Sequence, residues 1–86
     1  MLAPLRKPLV SGAKQTLRAI LRQQAERVFL AADAHPSVVA PVEAAAQEAS
    51  LEIVRVPAMH LLGKACGLEV DCACAAELRS LVSKDA

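Results

Sequence analysis

Val10-Ser11-Gly12-Ala13-Lys14-Gln15-Thr16-Leu17-Arg18 is the stretch from which the rest of the chain can be placed. Gly12 punctuates the sequence directly before an amphipathic pattern, so Ser11 or Gly12 caps a first helix running from about Ala13 to Gln24. Ala13, Leu17, Ile20 and Leu21 fall at i, i+4, i+7 and i+8 and form an apolar face. Lys14, Arg18 and Arg22 fall at i, i+4 and i+8 and form a basic stripe on another face. A helix start carries unpaired N–H groups and a partial positive charge, which favour an anion such as phosphate. Gln15 and Thr16 add neutral donors and acceptors able to read a base edge. Two readings stay open on this stretch: a helix start that touches nucleic acid, and a capped amphipathic helix whose charged face is merely solvated. Taken alone, the stretch favours the second.

Outward from that helix, Leu9-Val10 reads as a short strand entering the Gly12 turn, and Met1 to Pro8 as a tail or a loose first strand, with Pro4 and Pro8 preventing regular pairing. Arg27 to Ala31 is a short continuous apolar run, which suits a strand covered on both faces. Asp33-Ala34-His35-Pro36 is a turn and helix-start cluster, with His35 expected in a surface loop. A second helix follows from about Ser37 to Ala49, with Val38, Val42, Ala45, Ala46 and Ala49 on its buried face and Pro41 tolerated near its first turn. Leu51 to Val56 reads as another strand, stopped by Pro57. Ala58 to Cys66 fits a short third helix, begun by Met59 and His60 and closed by Gly67 at C′. Helices alternating with short strands argue for an α/β sandwich with a small central sheet, as one domain over residues 9–86 behind an N-terminal tail of residues 1–8.

Charge is unevenly spread. The net charge is only +1, but residues 1–27 hold six basic residues against Glu26, a local +5. Residues 28–86 hold four basic residues against eight acids, a local −4. A basic N-terminal third is therefore expected on a chain that otherwise repels polyanions. One Phe and no Trp or Tyr argue against binding single strands by stacking bases on rings. The N-terminus lacks an apolar core of signal-peptide length and no run is long enough to cross a bilayer, so a cytoplasmic protein is expected.

Cys66, Cys72 and Cys74 are spaced C-x5-C-x-C, without the paired C-x2-C of a zinc site, and neither His35 nor His60 supplies a second pair. Reduced, inward-facing thiols are expected, with Cys66 under the glycine turn. No phosphate-loop or dinucleotide fingerprint and no candidate triad is present, so no enzyme, cofactor, metal or small-molecule substrate is expected.

The second informative stretch is Leu62-Gly63-Lys64-Ala65-Cys66-Gly67-Leu68-Glu69-Val70: a short helix, a glycine turn, and a loop offering two aliphatics beside a carboxylate. Together with Gly12 to Arg18 and Ala32-Asp33-Ala34-His35-Pro36, it resembles the ribosomal L-seven-Ae/L-thirty-e family, whose members bind kink-turn RNA. The similarity runs from about Leu9 to Leu78 and is closest to the short bacterial members. The resemblance implies a three-layer α/β/α sandwich around a four-stranded mixed sheet. It also implies a role as a non-catalytic RNA-binding, ribosomal-protein-like module, monomeric, whose partner is structured RNA such as ribosomal RNA or a riboswitch.

Carried over by position, the resemblance implies RNA contacts at Gly12, Ala13, Lys14, Gln15, Arg18, Leu68, Glu69 and Val70. Gly12 would allow close backbone approach, Lys14 and Gln15 would touch the guanine edges of tandem sheared G·A pairs, and Arg18 would pair with phosphate. Leu68, Glu69 and Val70 would flank the flipped-out nucleotide. Archaeal and eukaryotic members commonly have asparagine then glutamate where this chain has Lys14-Gln15; an ionised glutamate can only accept, whereas Gln15 can accept or donate. The resemblance also implies a last strand over Cys72 to Leu78, although Ala, Glu, Leu and Arg there are helix-like in composition. The alternative from a different class is a protein–protein adaptor on the same scaffold, with weak or lost RNA affinity.

Overall fold

Seven short elements occur among the described residues. A computed structural model describes residues 8–79. In order they are β1 (Leu9–Ser11), α1 (Ala13–Leu21), β2 (Ala25–Ala31), α2 (Pro36–Glu48), β3 (Glu52–Val56), α3 (Met59–Ala65) and β4 (Cys74–Leu78). The strands form one sheet in the order β1-β4-β2-β3. β2 and β3 are parallel, while β4 runs antiparallel to both of its neighbours, so the sheet is mixed. The last segment is a strand despite its helix-like composition. As the second strand in from the edge it has all its ladder partners supplied, and burial overrides propensity.

Strand alternation divides the core into two layers. Val10, Ala76, Val28 and Ile53 are in register across the sheet and face α1 and α2, meeting Ala19, Ile20, Val42 and Ala46. Phe29, Ala75, Ala31 and Val56 face the other way and meet Leu62 and Met59 of α3. With helices on both faces of the sheet, the architecture is the expected α/β/α sandwich. At the far end of the α3 face, Arg27 reaches across three strands, 2.8 Å from Glu77 Oε1 and 2.9 Å from Glu52 Oε1. Arg27 and its two partners share one register row, so a cation at this position neutralises two neighbouring carboxylates.

The observed boundaries differ from the expected ones in instructive ways. α1 ends at Leu21, not Gln24, because Gln23 adopts φ 59° and turns the chain. Gln23 N–H then donates to Ile20 O at 3.0 Å and Gln24 N–H to Ala19 O at 2.9 Å, closing a Schellman turn with no glycine to announce it. Ser50 does the same for α2 at φ 59°. β2 starts two residues before Arg27 because a bulge between Ala25 and Arg27 shifts the register against β4. That extra residue puts Ala25 on the same face as Val28 and Leu30, although it is an odd number of positions from them.

Two buried faces also need correction. Leu21 is 70% exposed, whereas Thr16 and Ala19 are buried. The inward stripe of α1 centres on Ala13, Thr16 and Ile20 and is turned toward Ala19, which swings Leu21 to solvent. On α2, Val38 and Ala49 are exposed and Val39 packs inward beside Val42, Ala45 and Ala46. α2 begins at Pro36, so Pro41 sits beyond the first turn; both it and Ser37, whose carbonyl it leaves without an N–H, are exposed. Of the expected tail, residues 1–7 lie outside the described residues, while the Pro8 carbonyl already accepts from Leu78 N–H at 2.8 Å.

Candidate nucleic-acid interface

The ends of β1, β2 and β3 from which α1, α2 and α3 spring lie at the same edge of the sheet as the start of β4, so the connections there converge. Gly12 is the N-cap of α1, with φ 99° and ψ 148°, a conformation essentially restricted to glycine. Its N–H donates to Cys74 O at 2.8 Å, tying the helix start to the first residue of β4. The segment leading into β4 is the loop after Gly67. The two stretches singled out in the sequence are therefore linked through β4: the first is hydrogen-bonded to its first residue and the second leads into it.

α1 has no side-chain cap and no acidic residue in its first turn. The first intrahelical bond is Thr16 N–H to Gly12 O at 2.9 Å, so the N–H groups of Ala13, Lys14 and Gln15 point out of the helix end. Lys14, Gln15 and Arg18 are exposed, and Ala13 is half-buried against the core. The basic stripe continues to Arg22, about 12 Å along the axis from Lys14. None of the three stripe cations has an ion pair among the described residues. Thr16, by contrast, is fully buried and cannot read a base. Nor does Arg27 belong to the basic surface, being held by Glu52 and Glu77. Arg6 and Lys7 lie outside the described residues.

The second part of the edge is built by α3. Gly67 at φ 78° closes the helix: its N–H donates to Lys64 O at 3.0 Å and that of Leu68 to Gly63 O at 2.9 Å. The loop then folds back over Gly63 so closely that a Cβ there would sit 2.1 Å from the Val70 carbonyl oxygen. This contact, not a turn, is what the glycine serves. Leu68 packs into the core beside Phe29 and Leu62, whereas Glu69 is exposed and Val70 is 67% exposed. Of the three loop residues, Glu69 and Val70 expose their side chains, and Leu68 anchors the loop.

Sequence reasoning gave no role to the links that hold this edge together. Asp33 Oδ1 accepts Met59 N–H at 2.8 Å, so the turn after β2 caps α3, whose own N-cap residue is Ala58. His35 is the N-cap of α2, its Nδ1 accepting Ser37 N–H at 3.1 Å. Cys72 N–H donates to Met59 O at 3.1 Å. Pro36 at N1, two residues after a short polar turn, was the available signal for the His35 cap. Two thiols of the same edge are held in the protonated form. Burial, then the neighbouring Cys72, pushes Cys66 up to about 11. Burial likewise takes Cys74 to about 11. No group of three or more His, Cys, Asp or Glu suited to a metal occurs among the described residues, and no helix among them is long and apolar enough to cross a membrane.

Residues 2–86 match the ribosomal protein L7Ae/L30e/S12e/Gadd45 family along their whole length. The chain belongs to this family. Relatives in it include an RNA-binding protein of Bacillus pumilus, 41% identical over 79% of this chain and 83% of its own. The RNA-binding protein YbxF of Geobacillus stearothermophilus is 42% identical over 83% of this chain and 87% of its own. Among solved structures, the Giardia lamblia 15.5kD RNA binding protein superposes with a TM-score of 0.79 at 27% identity. It covers 90% of this chain, which spans 65% of that longer protein. A Bacillus halodurans protein of unknown function shares the fold, with a TM-score of 0.75 at 19% identity. The four-stranded mixed sheet and three helices described above thus form a fold shared with these structures.

Proposed function

We propose that the chain is a non-catalytic RNA-binding module that recognises and stabilises kink-turn RNA through the edge where α1 begins and the 68–70 loop folds back. The observation that carries this reading is the juxtaposition itself: an uncapped helix start with unpaired cations is hydrogen-bonded to the strand that the loop leads into. The names of the relatives support RNA as the partner.

The two halves of the edge suit different parts of a bent RNA. The α1 side holds Lys14, Arg18 and Arg22 and suits phosphates and acceptor-rich base edges. The loop side holds Glu69, Asp71 and Val70, all exposed, and suits an extruded base more than a phosphate. Lys14 and Gln15 would then meet the sheared G·A pairs, with Arg18 on a phosphate and Val70 against the flipped nucleotide. An irregular RNA with splayed bases is where such contacts find their targets. Binding the bent form alone draws a pre-existing equilibrium toward it. In this reading the module acts as a monomer in the cytoplasm, on ribosomal RNA or a riboswitch.

The test is binding to a kink-turn RNA and to a control in which Watson–Crick pairs replace the sheared G·A pairs, at near-physiological salt. Tight binding to the first and weak binding to the second is expected. Arg18→Ala should reduce the slope of log K against log salt by about one unit. Equal, salt-sensitive binding to both RNAs refutes the reading and means nonspecific electrostatics only, whereas binding to neither refutes it in favour of the adaptor.

A further inference from the structure

Gln15 enters the kink-turn reading as an amide that can donate or accept. The structure narrows that choice. Gly12 has no side chain, and the Gln15 amide fills the space: its Oε1 lies 2.7 Å from where a Gly12 Cβ would be, and its Cδ 3.7 Å. The amide nitrogen is not among the atoms within 4 Å of that point. The oxygen is therefore turned in over the helix start and the nitrogen away from it.

Electrostatics accounts for this orientation. The start of α1 carries the outward N–H groups of Ala13, Lys14 and Gln15, with no carboxylate in its first turn and no side-chain cap to neutralise them. An amide oxygen is the negative end of its dipole and is drawn to that partial positive charge, leaving the NH2 group to face outward. Among the described residues the Gln15 side chain has no hydrogen-bond partner that would turn it the other way. Lys14 and Arg18 on either side of it can only donate.

We infer that Gln15 reads the RNA as a hydrogen-bond donor, selecting the O6 or N7 acceptor on the major-groove edge of a guanine, so that the helix start presents donors only. This inference rests on the kink-turn reading. Guanine offers O6 and N7 as acceptors on one edge and N1–H and N2–H as donors on another. A donor-only surface takes the first edge and gains nothing from the exocyclic 2-amino group.

A double-mutant cycle between protein and RNA separates these edges, because effects of each base analogue on RNA folding cancel within it. Wild type and Gln15→Ala are titrated against a kink-turn RNA in which each sheared-pair guanine is replaced in turn by inosine, 6-thioguanine or 7-deazaguanine. On unmodified RNA, Q15A should weaken binding about tenfold, the effect of one base-edge hydrogen bond. On inosine RNA, which keeps O6 and N7 but lacks the 2-amino group, the same loss should persist. At one guanine the loss should collapse on 6-thioguanine or on 7-deazaguanine RNA, where the acceptor is weakened or gone. A loss that vanishes on inosine, or that persists on both 6-thioguanine and 7-deazaguanine, overturns the donor assignment. If wild type prefers kink-turn to the Watson–Crick control while the cycle gives either of those results, the inference alone fails. If wild type shows no such preference, both fail together.

Discussion

Thr16 is the residue whose position is most at odds with its chemistry. It is fully buried, and its Oγ1 has no hydrogen-bond partner among the described residues. A hydroxyl that gives up hydration without gaining a partner costs about 1–3 kcal/mol. Valine has nearly the same shape and removes the hydroxyl. Thr16→Val should therefore raise unfolding stability by about 1 kcal/mol in urea titration, with kink-turn affinity unchanged because the side chain does not reach the surface. A variant that kept its stability but lost RNA affinity would put Thr16 back at the interface. The Lys-Gln-Thr run thus combines two kinds of residue: Lys14 and Gln15 face outward at the helix start, and Thr16 belongs to the core.

At the scale of elements, the α3–loop unit depends on a single close approach. A Cβ on Gly63 would meet the Val70 carbonyl oxygen at 2.1 Å, and the next nearest atoms are also backbone. Backbone cannot swing aside as a side-chain tip can, so Gly63→Ala must separate the loop from the helix. The cost should be about 1–3 kcal/mol, typical of overpacking. RNA affinity should fall with it, since Glu69 and Val70 ride on the displaced segment. An alanine variant of native stability and affinity would show that the loop can move without consequence. The order of the elements was legible in the sequence, because apolar runs and the punctuation at Gly12, Pro36, Pro57 and Gly67 mark it directly. The end of α1 was not, because Gln23 takes the left-handed turn that glycine usually signals; α2, expected to end at about Ala49, does end there, its C-cap being Ala49. Leu21 and Val38 were misassigned for a related reason. Periodicity gives the width of a stripe, but which neighbour at its margin is covered depends on how each helix is rolled on the sheet. The Asp33–Met59 link joins residues far apart in sequence, and only the fold brings them together.

For the molecule as a whole, the thiols set how the fold responds to alkali. Cys74 is fully buried at the start of β4 and Cys66 half-buried at the C-cap of α3, and both are raised from an ordinary value of 9.0 to about 11. In the unfolded chain these thiols ionise near 9, whereas in the folded chain they hold their protons until near 11. Between the two values the native state binds more protons than the unfolded state, so stability must fall as pH rises. The contribution is complete below pH 9 and lost as pH passes through 11. Urea midpoints measured from pH 8 to pH 11 should therefore decline. Lysines ionise in the same range, so the comparison is with Cys66→Ala/Cys74→Ala, whose midpoint should start lower but fall less steeply. Identical slopes for the two proteins would mean that the thiols ionise alike in both states, contrary to their burial. Alkylation gives an independent reading: at pH 8 both thiols should react far more slowly with iodoacetamide in native protein than in urea, because the thiolate is the nucleophile and the fold withholds it.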